Sequence, residues 1–274
     1  MSCLSGVLVN GAPGRPIARP WPRKGAPTWI RSRVPPPRSL PGLARLATVA
    51  DARHVEESLR VTATPPATRE DAAALLLDVL SAACPLGEVC LIGSMARPGE
   101  ADVFSDIDVR WTIPPRQASE QLQSLRLTLQ RVGNVESLRV DPDMRSDSRL
   151  VFLRFQGWPL WWRVDLEIHS AGLGSVGVQD SDPWSPHESA CMGVIVTLKA
   201  LARNRPEAAE GLLVRALERV DATDVAGDWQ LRISSLLDHL ETSSPPTAEL
   251  ASRTRRLSRE VFSEYDVPSD SSHW

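Results

Sequence analysis

At 274 residues with 42% hydrophobic content, the chain is long enough for one large or two small domains with a real core. Its net charge of −3 hides an asymmetry: residues 1–46 hold eight Lys or Arg and no Asp or Glu, leaving 23 basic and 34 acidic residues in the remainder, a net of −11. An acidic body of that kind argues against a broad nucleic-acid surface, which needs a basic footprint, and suits a small or cationic partner.

Residues 1–46 are rich in Pro, Arg and Gly and show no hydrophobic periodicity, and Pro35-Pro36-Pro37 cannot continue a helix or a central strand. The stretch reads as a disordered basic extension. A non-functional extension, a transit peptide and a nucleic-acid-binding tail are the three meanings it allows. A short helix is expected within residues 47–62, and Thr64 to Ala67 break it. Thr68 then opens a helix through about Ala83, with Asp71 placed for a near capping box and Ala72, Leu75, Leu76, Val79 and Leu80 as the buried stripe.

The chemistry begins after Pro85 and Gly87. Val89 to Ile92 reads as a strand that ends in Gly93-Ser94, and a second strand carries Asp106-Ile107-Asp108 on through Trp111. Strand side chains alternate, so Asp106 and Asp108 share one face while Ile107 and Val109 enter the core. Two carboxylates so close repel each other, and a divalent cation is the usual remedy. Gly93 would let a phosphate approach the backbone, and Ser94 offers a hydroxyl and an N–H at what reads as a helix start.

Beyond Pro114-Pro115, a helix is expected over 117–132 and a strand over 135–140. Asp141-Pro142-Asp143 reads as a solvated turn rather than a second acidic pair. Strands over 149–155 and 160–168, turned by Gln156-Gly157-Trp158-Pro159, form a hairpin. On the second, Asp165 and Glu167 face one way and Val164, Leu166 and Ile168 the other. A loop follows to Pro186. The rest is helical, at about 187–203, 206–220, 227–241 and 246–265. Of the nine tryptophans, Trp111, Trp158, Trp161, Trp162 and Trp184 fall near the core region, where packing is the main expectation and stacking on a base or sugar ring the alternative.

Gly93-Ser94-Met95-Ala96-Arg97, eleven residues from Ser94 to Asp106, and Ser105-Asp106-Ile107-Asp108 together resemble the polymerase-beta-like nucleotidyltransferase superfamily, in its small-substrate, aminoglycoside nucleotidyltransferase-like branch. Pro98 reads as a one-residue insertion before the expected glycine, Gly99. The resemblance covers about residues 70–205. It implies an α+β fold: a nucleotidyltransferase core of mixed sheet and helices over 47–185, then a C-terminal helical domain over 186–274.

It also implies a Mg²⁺-dependent enzyme that binds ATP or another nucleoside triphosphate and transfers the nucleoside monophosphate to a hydroxyl of a small-molecule acceptor, releasing pyrophosphate. Asp106, Asp108 and, as third carboxylate, Asp165 would hold one or two Mg²⁺ ions, and Glu167 and Glu188 are further candidates for the base. Gly93, Ser94 and Arg97 would steady the phosphates. Lys199, the only lysine besides Lys24, would reach them from the first C-terminal helix, on the same face as Glu188. His187 is an ordinary helix-start residue. The other functions considered are a protein AMP-transferase of antitoxin type and a non-catalytic nucleotide-binding regulator. No zinc spacing or disulfide framework is visible among Cys3, Cys84, Cys90 and Cys191, and no apolar run approaches the roughly 20 residues of a membrane span, so a cytoplasmic protein is expected.

Overall fold

A capping box starts the first helix, α1 (Arg69–Ala83): the Thr68 hydroxyl accepts the Asp71 N–H at 3.0 Å and the Asp71 carboxylate accepts the Thr68 N–H at 3.2 Å. The computed structural model describes residues 65–142, 145–171, 173–222, 226–265 and 267, all within one compact unit spanning 54–274. The expected extension over 1–46, the helix within 47–62 and Asp143 lie outside the described residues.

After α1 come β1 (Glu88–Leu91), a single 3₁₀ turn over Gly93–Ala96, and β2 (Ile107–Thr112). Two short helices follow, α2 (Pro115–Gln123) and α3 (Leu125–Leu129), where one continuous helix was expected. Ser124 makes the break: its hydroxyl donates to the Glu120 carbonyl at 2.9 Å, the back-bond that bends helices. Three strands come next, β3 (Val135–Val140), β4 (Ser148–Phe155) and β5 (Val164–His169). β5 begins four residues later than expected. The Trp162 N–H closes a turn on the Pro159 carbonyl at 2.9 Å, and Trp158 folds back onto Phe155 with ring centroids 4.4 Å apart.

The protein is α+β, with a five-stranded mixed sheet ordered β1-β2-β5-β4-β3. Only β2 and β5 run parallel; the other three pairs are antiparallel. Period-two patterning decides which face is covered. Ile107, Val109, Trp111, Val151, Leu153, Phe155, Val164, Leu166 and Ile168 are all buried and share a cluster with the stripe of α1 and with Leu122, Leu125 and Leu129.

Four helices complete the chain: α4 (Pro186–Ala202), α5 (Pro206–Glu218), α6 (Trp229–Glu241) and α7 (Pro245–Glu264). They build a second cluster around Val194, Leu198, Leu213, Trp229, Leu236 and Val261. Each begins with Pro at its first turn or with an Asp cap, at Asp228 for α6. Among the described residues no helix is long and apolar enough to cross a membrane.

Candidate functional site

The face of the sheet turned toward the C-terminal helices carries the polar side chains. Asp108 on β2 and Asp165 on β5 are direct partners across the parallel pair. Asp106 stands one residue ahead of β2, where the Ile107 N–H ties the chain to the Arg163 carbonyl at 2.9 Å. The three carboxylates expected to act together are therefore gathered at one end of the parallel pair.

Arg163, which sequence reasoning did not single out, binds two of them. Its guanidinium donates to Asp165 Oδ2 at 2.7 Å and reaches Asp106 Oδ2 at 3.3 Å. It also lies over the Phe152 ring, 5.7 Å from the centroid. The signal was available: Arg163, Asp165 and Glu167 alternate with Val164 and Leu166, which places all three charges on one strand face.

Lys199 is buried in α4 and pairs with Asp106 Oδ1, while also donating to the Trp161 carbonyl at 3.1 Å. Its amine stands on an aspartate, not in an open cleft. Burial leads in lowering the ammonium pKa, with Asp106 opposing it. Asp108 is pushed up to about 6, first by burial, then by Asp165 and Asp106. Asp165 also moves up, burial again leading and Arg163 pulling it back. Its Oδ1 is buried without a hydrogen-bond partner.

Gly93 explains how Asp108 fits. It has φ +64°, and a Cβ added there would lie 2.2 Å from Asp108 Oδ2. The glycine makes room for a carboxylate of this chain, which is a different task from the expected close approach of a phosphate. Ser94 sits in the 3₁₀ turn, and its hydroxyl has no hydrogen-bond partner among the described residues. Arg97 is exposed and bound to its own loop, through the Gly93 carbonyl at 3.2 Å and Glu100 at 2.7 Å.

The connection between Gly93 and Asp106 is pinned by Asp102. Arg203, just past α4, grips its carboxylate with two 2.7 Å bonds, and Asp102 also accepts from Ser105 and the Phe104 N–H. These bonds, Arg203 first, hold the Asp102 carboxyl down at about 2.

The other candidate bases are occupied. Glu188 is buried: Oε1 accepts from Ser137 at 3.0 Å and pairs with Arg154 at 2.7 Å, and Oε2 pairs with Arg139. Glu167 is held by Arg110 at 2.8 Å and by His169 at 3.4 Å. His187 stacks on His239, with centroids 6.1 Å apart. Trp111 and Trp158 are core residues, Trp162 packs against the core cluster, and Trp161 meets Phe104 edge-on at 5.1 Å. Trp184 is 51% exposed.

The donor set suits a hard divalent cation in its chemistry. It offers three carboxylates, one with a buried orphan oxygen and two with pKa values raised first by burial and then by neighbouring carboxylates. In the arrangement described, Arg163 and Lys199 already neutralise Asp106 and Asp165, and among the described residues no three acidic, His or Cys side chains are grouped closely enough to share one ion. Asp108, cradled by Gly93, is the carboxylate without a cationic hydrogen-bond partner.

No protein-family model matches the chain, and neither a curated protein nor a solved structure is similar to it at a significant level.

Proposed function

We propose that the protein is a Mg²⁺-dependent nucleotidyltransferase that moves a nucleoside monophosphate from a triphosphate, ATP first among them, to a hydroxyl of a small-molecule acceptor. The observation that carries this reading is the placement of Asp106, Asp108 and Asp165 at one end of the parallel β2–β5 pair, with Arg163 bridging Asp106 and Asp165 and Gly93 clearing space for Asp108. Like charges are concentrated there at an energetic cost, and a buried carboxylate raised by burial and by neighbouring carboxylates is a candidate functional group.

When bound at these carboxylates, Mg²⁺ would supply Lewis-acid stabilisation of the charge that builds on the phosphate oxygens. The chain does the rest. Asp108 and Asp106 provide the anionic cradle. Lys199 is a positioning residue that fixes Asp106, because its own contacts are spent on Asp106 and the Trp161 carbonyl. Asp165, whose Oδ1 is free to accept, takes the acceptor's hydroxyl proton. The hydroxyl oxygen then bonds to the α-phosphorus, and the bond from that phosphorus to the bridging oxygen breaks. Its electron pair leaves with pyrophosphate. Ser94 keeps a hydroxyl available for the phosphates; Arg97, exposed on the same loop, rests on Glu100 and the Gly93 carbonyl.

The test is pyrophosphate release from ATP and Mg²⁺ across a panel of hydroxylated acceptors, comparing the parent with Asp108→Asn. Release by the parent that vanishes in Asp108→Asn, with the fold retained by circular dichroism, is the expected result. Equal release by both proteins overturns the assignment.

A further inference from the structure

One cavity in the described structure, about 470 Å³, lies on the same sheet face as the carboxylates. Its size falls within the roughly 300–1,000 Å³ of pockets that hold small organic ligands. Phe152 and Arg139 lie on its floor, α4 and α5 form its walls, and Trp184 is part of its lining. Register ties it to the site: Asp108, Asp165, Phe152 and Arg139 are successive cross-strand partners on β2, β5, β4 and β3. Two strand spacings of about 4.8 Å separate Asp165 from Arg139, so a ligand spanning about 10 Å reaches from one to the other. Arg163 belongs to both, lining the cavity while it binds Asp165.

The charge of this cavity opposes that of the chain as a whole. Five arginines line it, against Glu188 and Asp141. Arg139 and Arg154 are matched by Glu188, but Arg139 Nη1 and Arg163 Nε are buried donors with no acceptor. A buried donor of a charged group left without a partner is costly, and such groups call for an explanation. Arg215 and Arg219, one helical turn apart at the C-terminal end of α5, make no ion pair or side-chain hydrogen bond among the described residues. Partial withdrawal of the otherwise exposed Arg219 side chain from solvent, then the charge of Arg215, lower its pKa, with Glu218 opposing them. Met192, Val196 and Leu212 add an apolar wall to the lining.

We infer that this cavity is the acceptor site and that the acceptor carries an anionic group, a phosphate monoester or a carboxylate, held by Arg215 and Arg219 with Arg139 beneath them. This rests on the transferase reading and narrows its substrate class. The acidic balance of the chain beyond residue 46 suits a small or cationic acceptor, but a binding site responds to its local charge. The apolar wall with Phe152 and Trp184 takes a ring or hydrocarbon body, and the hydroxyl of such a molecule then points along the Asp165 row.

The experiment is calorimetric titration of the full chain at low salt with phenyl phosphate, benzoate and benzyl alcohol. These share one ring and differ in charge. The parent should bind at least one of the two anions at least about tenfold more tightly than the alcohol, as expected when a charge-assisted contact is lost. The anion that binds more tightly identifies the group. Arg215→Gln combined with Arg219→Gln alters two surface side chains, so its melting temperature should match the parent's, and it should weaken anion binding by about the same factor.

Anion affinity equal to that for the alcohol, or unchanged in the double variant, overturns the inference. Titration of ATP with Mg²⁺ separates the remaining cases. If the double variant loses ATP affinity as strongly as anion affinity, the cavity holds the nucleotide and the acceptor assignment falls. If phenyl phosphate binds as expected while the parent ignores ATP, the anion site stands and the transferase reading fails.

Discussion

The two faces of the sheet hold their helices by opposite means. Toward α1, α2 and α3 the face is apolar and closed: Trp111, Ile168, Val109 and Leu166 are each 1% exposed or less. Toward α4 and α7 it is joined by charge: Lys199 to Asp106, Glu188 to Arg139 and Arg154, and Arg253 to Glu136 at 2.8 Å. Apolar packing scales with area and has no preferred partner, so it fixes the fold. The charged face is energetically poorer, because desolvation offsets much of what each ion pair returns. It leaves room for a cavity and for carboxylates that repel. The sheet thus separates stability from chemistry by alternation alone, residue by residue along the same strands.

The largest effect should come from the apolar face. Trp111→Ala removes a fully buried ring and should cost about 3–5 kcal/mol, measured by urea unfolding. Its cost should not change with salt; a cost that shrinks in salt would mean that this face is not held by packing.

Next comes the charged face. Glu188→Ala leaves Arg139 and Arg154 near each other without their shared carboxylate. It should destabilise by about 3 kcal/mol, the low end for a broken buried pair, because both arginines border the cavity. Unlike the first variant it should be sensitive to salt, and replacing Arg139 by Leu in the same chain should recover part of the loss. Additive losses in the double variant would refute the coupling.

Asp108→Asn should go the other way. The folded-state pKa of about 6 lies above the ordinary carboxylate value. The folded state therefore holds this proton more tightly than the unfolded state, and stability falls as pH rises from about 4 through 6. At pH 8 without divalent cations the variant escapes that penalty, and its melting temperature should rise by about 2–4 °C per kcal/mol relieved. A fall would show that the Asp108 charge supports the fold.

The smallest effect belongs to Asp102, at the edge of the charged face. Its folded pKa of about 2 is depressed, so its pairing with Arg203 stabilises above about pH 4 and is lost as pH falls toward 2. Asp102→Asn should cost under about 1 kcal/mol at pH 7, the range of exposed ion pairs, and should make acid unfolding less steep. An unchanged acid limb would place the source of acid sensitivity elsewhere.

Much of this was legible in the chain. Alternation over Val164 to Ile168 and in Asp106-Ile107-Asp108 gave the strands and the faces on which their carboxylates stand, because period two is a direct consequence of the pleat; grouping Asp165 with Asp106 and Asp108 came from the resemblance. The four C-terminal helices were legible from spacing and from Pro and Ser at their starts. What could not be read was partner choice across long separations. Glu188 and Lys199 do lie along one helix, but one meets two arginines of the sheet and the other meets Asp106 and the Trp161 carbonyl. Nothing local in the helix distinguishes those fates. The break at Ser124 and the late start of β5 were missed for the opposite reason. Both come from single hydrogen bonds, the Ser124 hydroxyl to Glu120 and the Trp162 N–H to Pro159, which leave no trace in a hydrophobic pattern.

The lone parallel pairing also sets an order of assembly. β1 with β2 and β3 with β4 and β5 are two antiparallel blocks, each closed by local turns and loops. They meet only along β2 and β5, where Arg110 finds Glu167 across 57 positions of chain. Contacts so distant in sequence form late, after shorter loops have closed. Asp108 and Asp165 face each other across that seam, so each block carries half of the carboxylate cluster and neither half works alone. On a ribosome, the cluster cannot exist until β5 has emerged and docked, and its formation would mark the moment at which the sheet becomes whole.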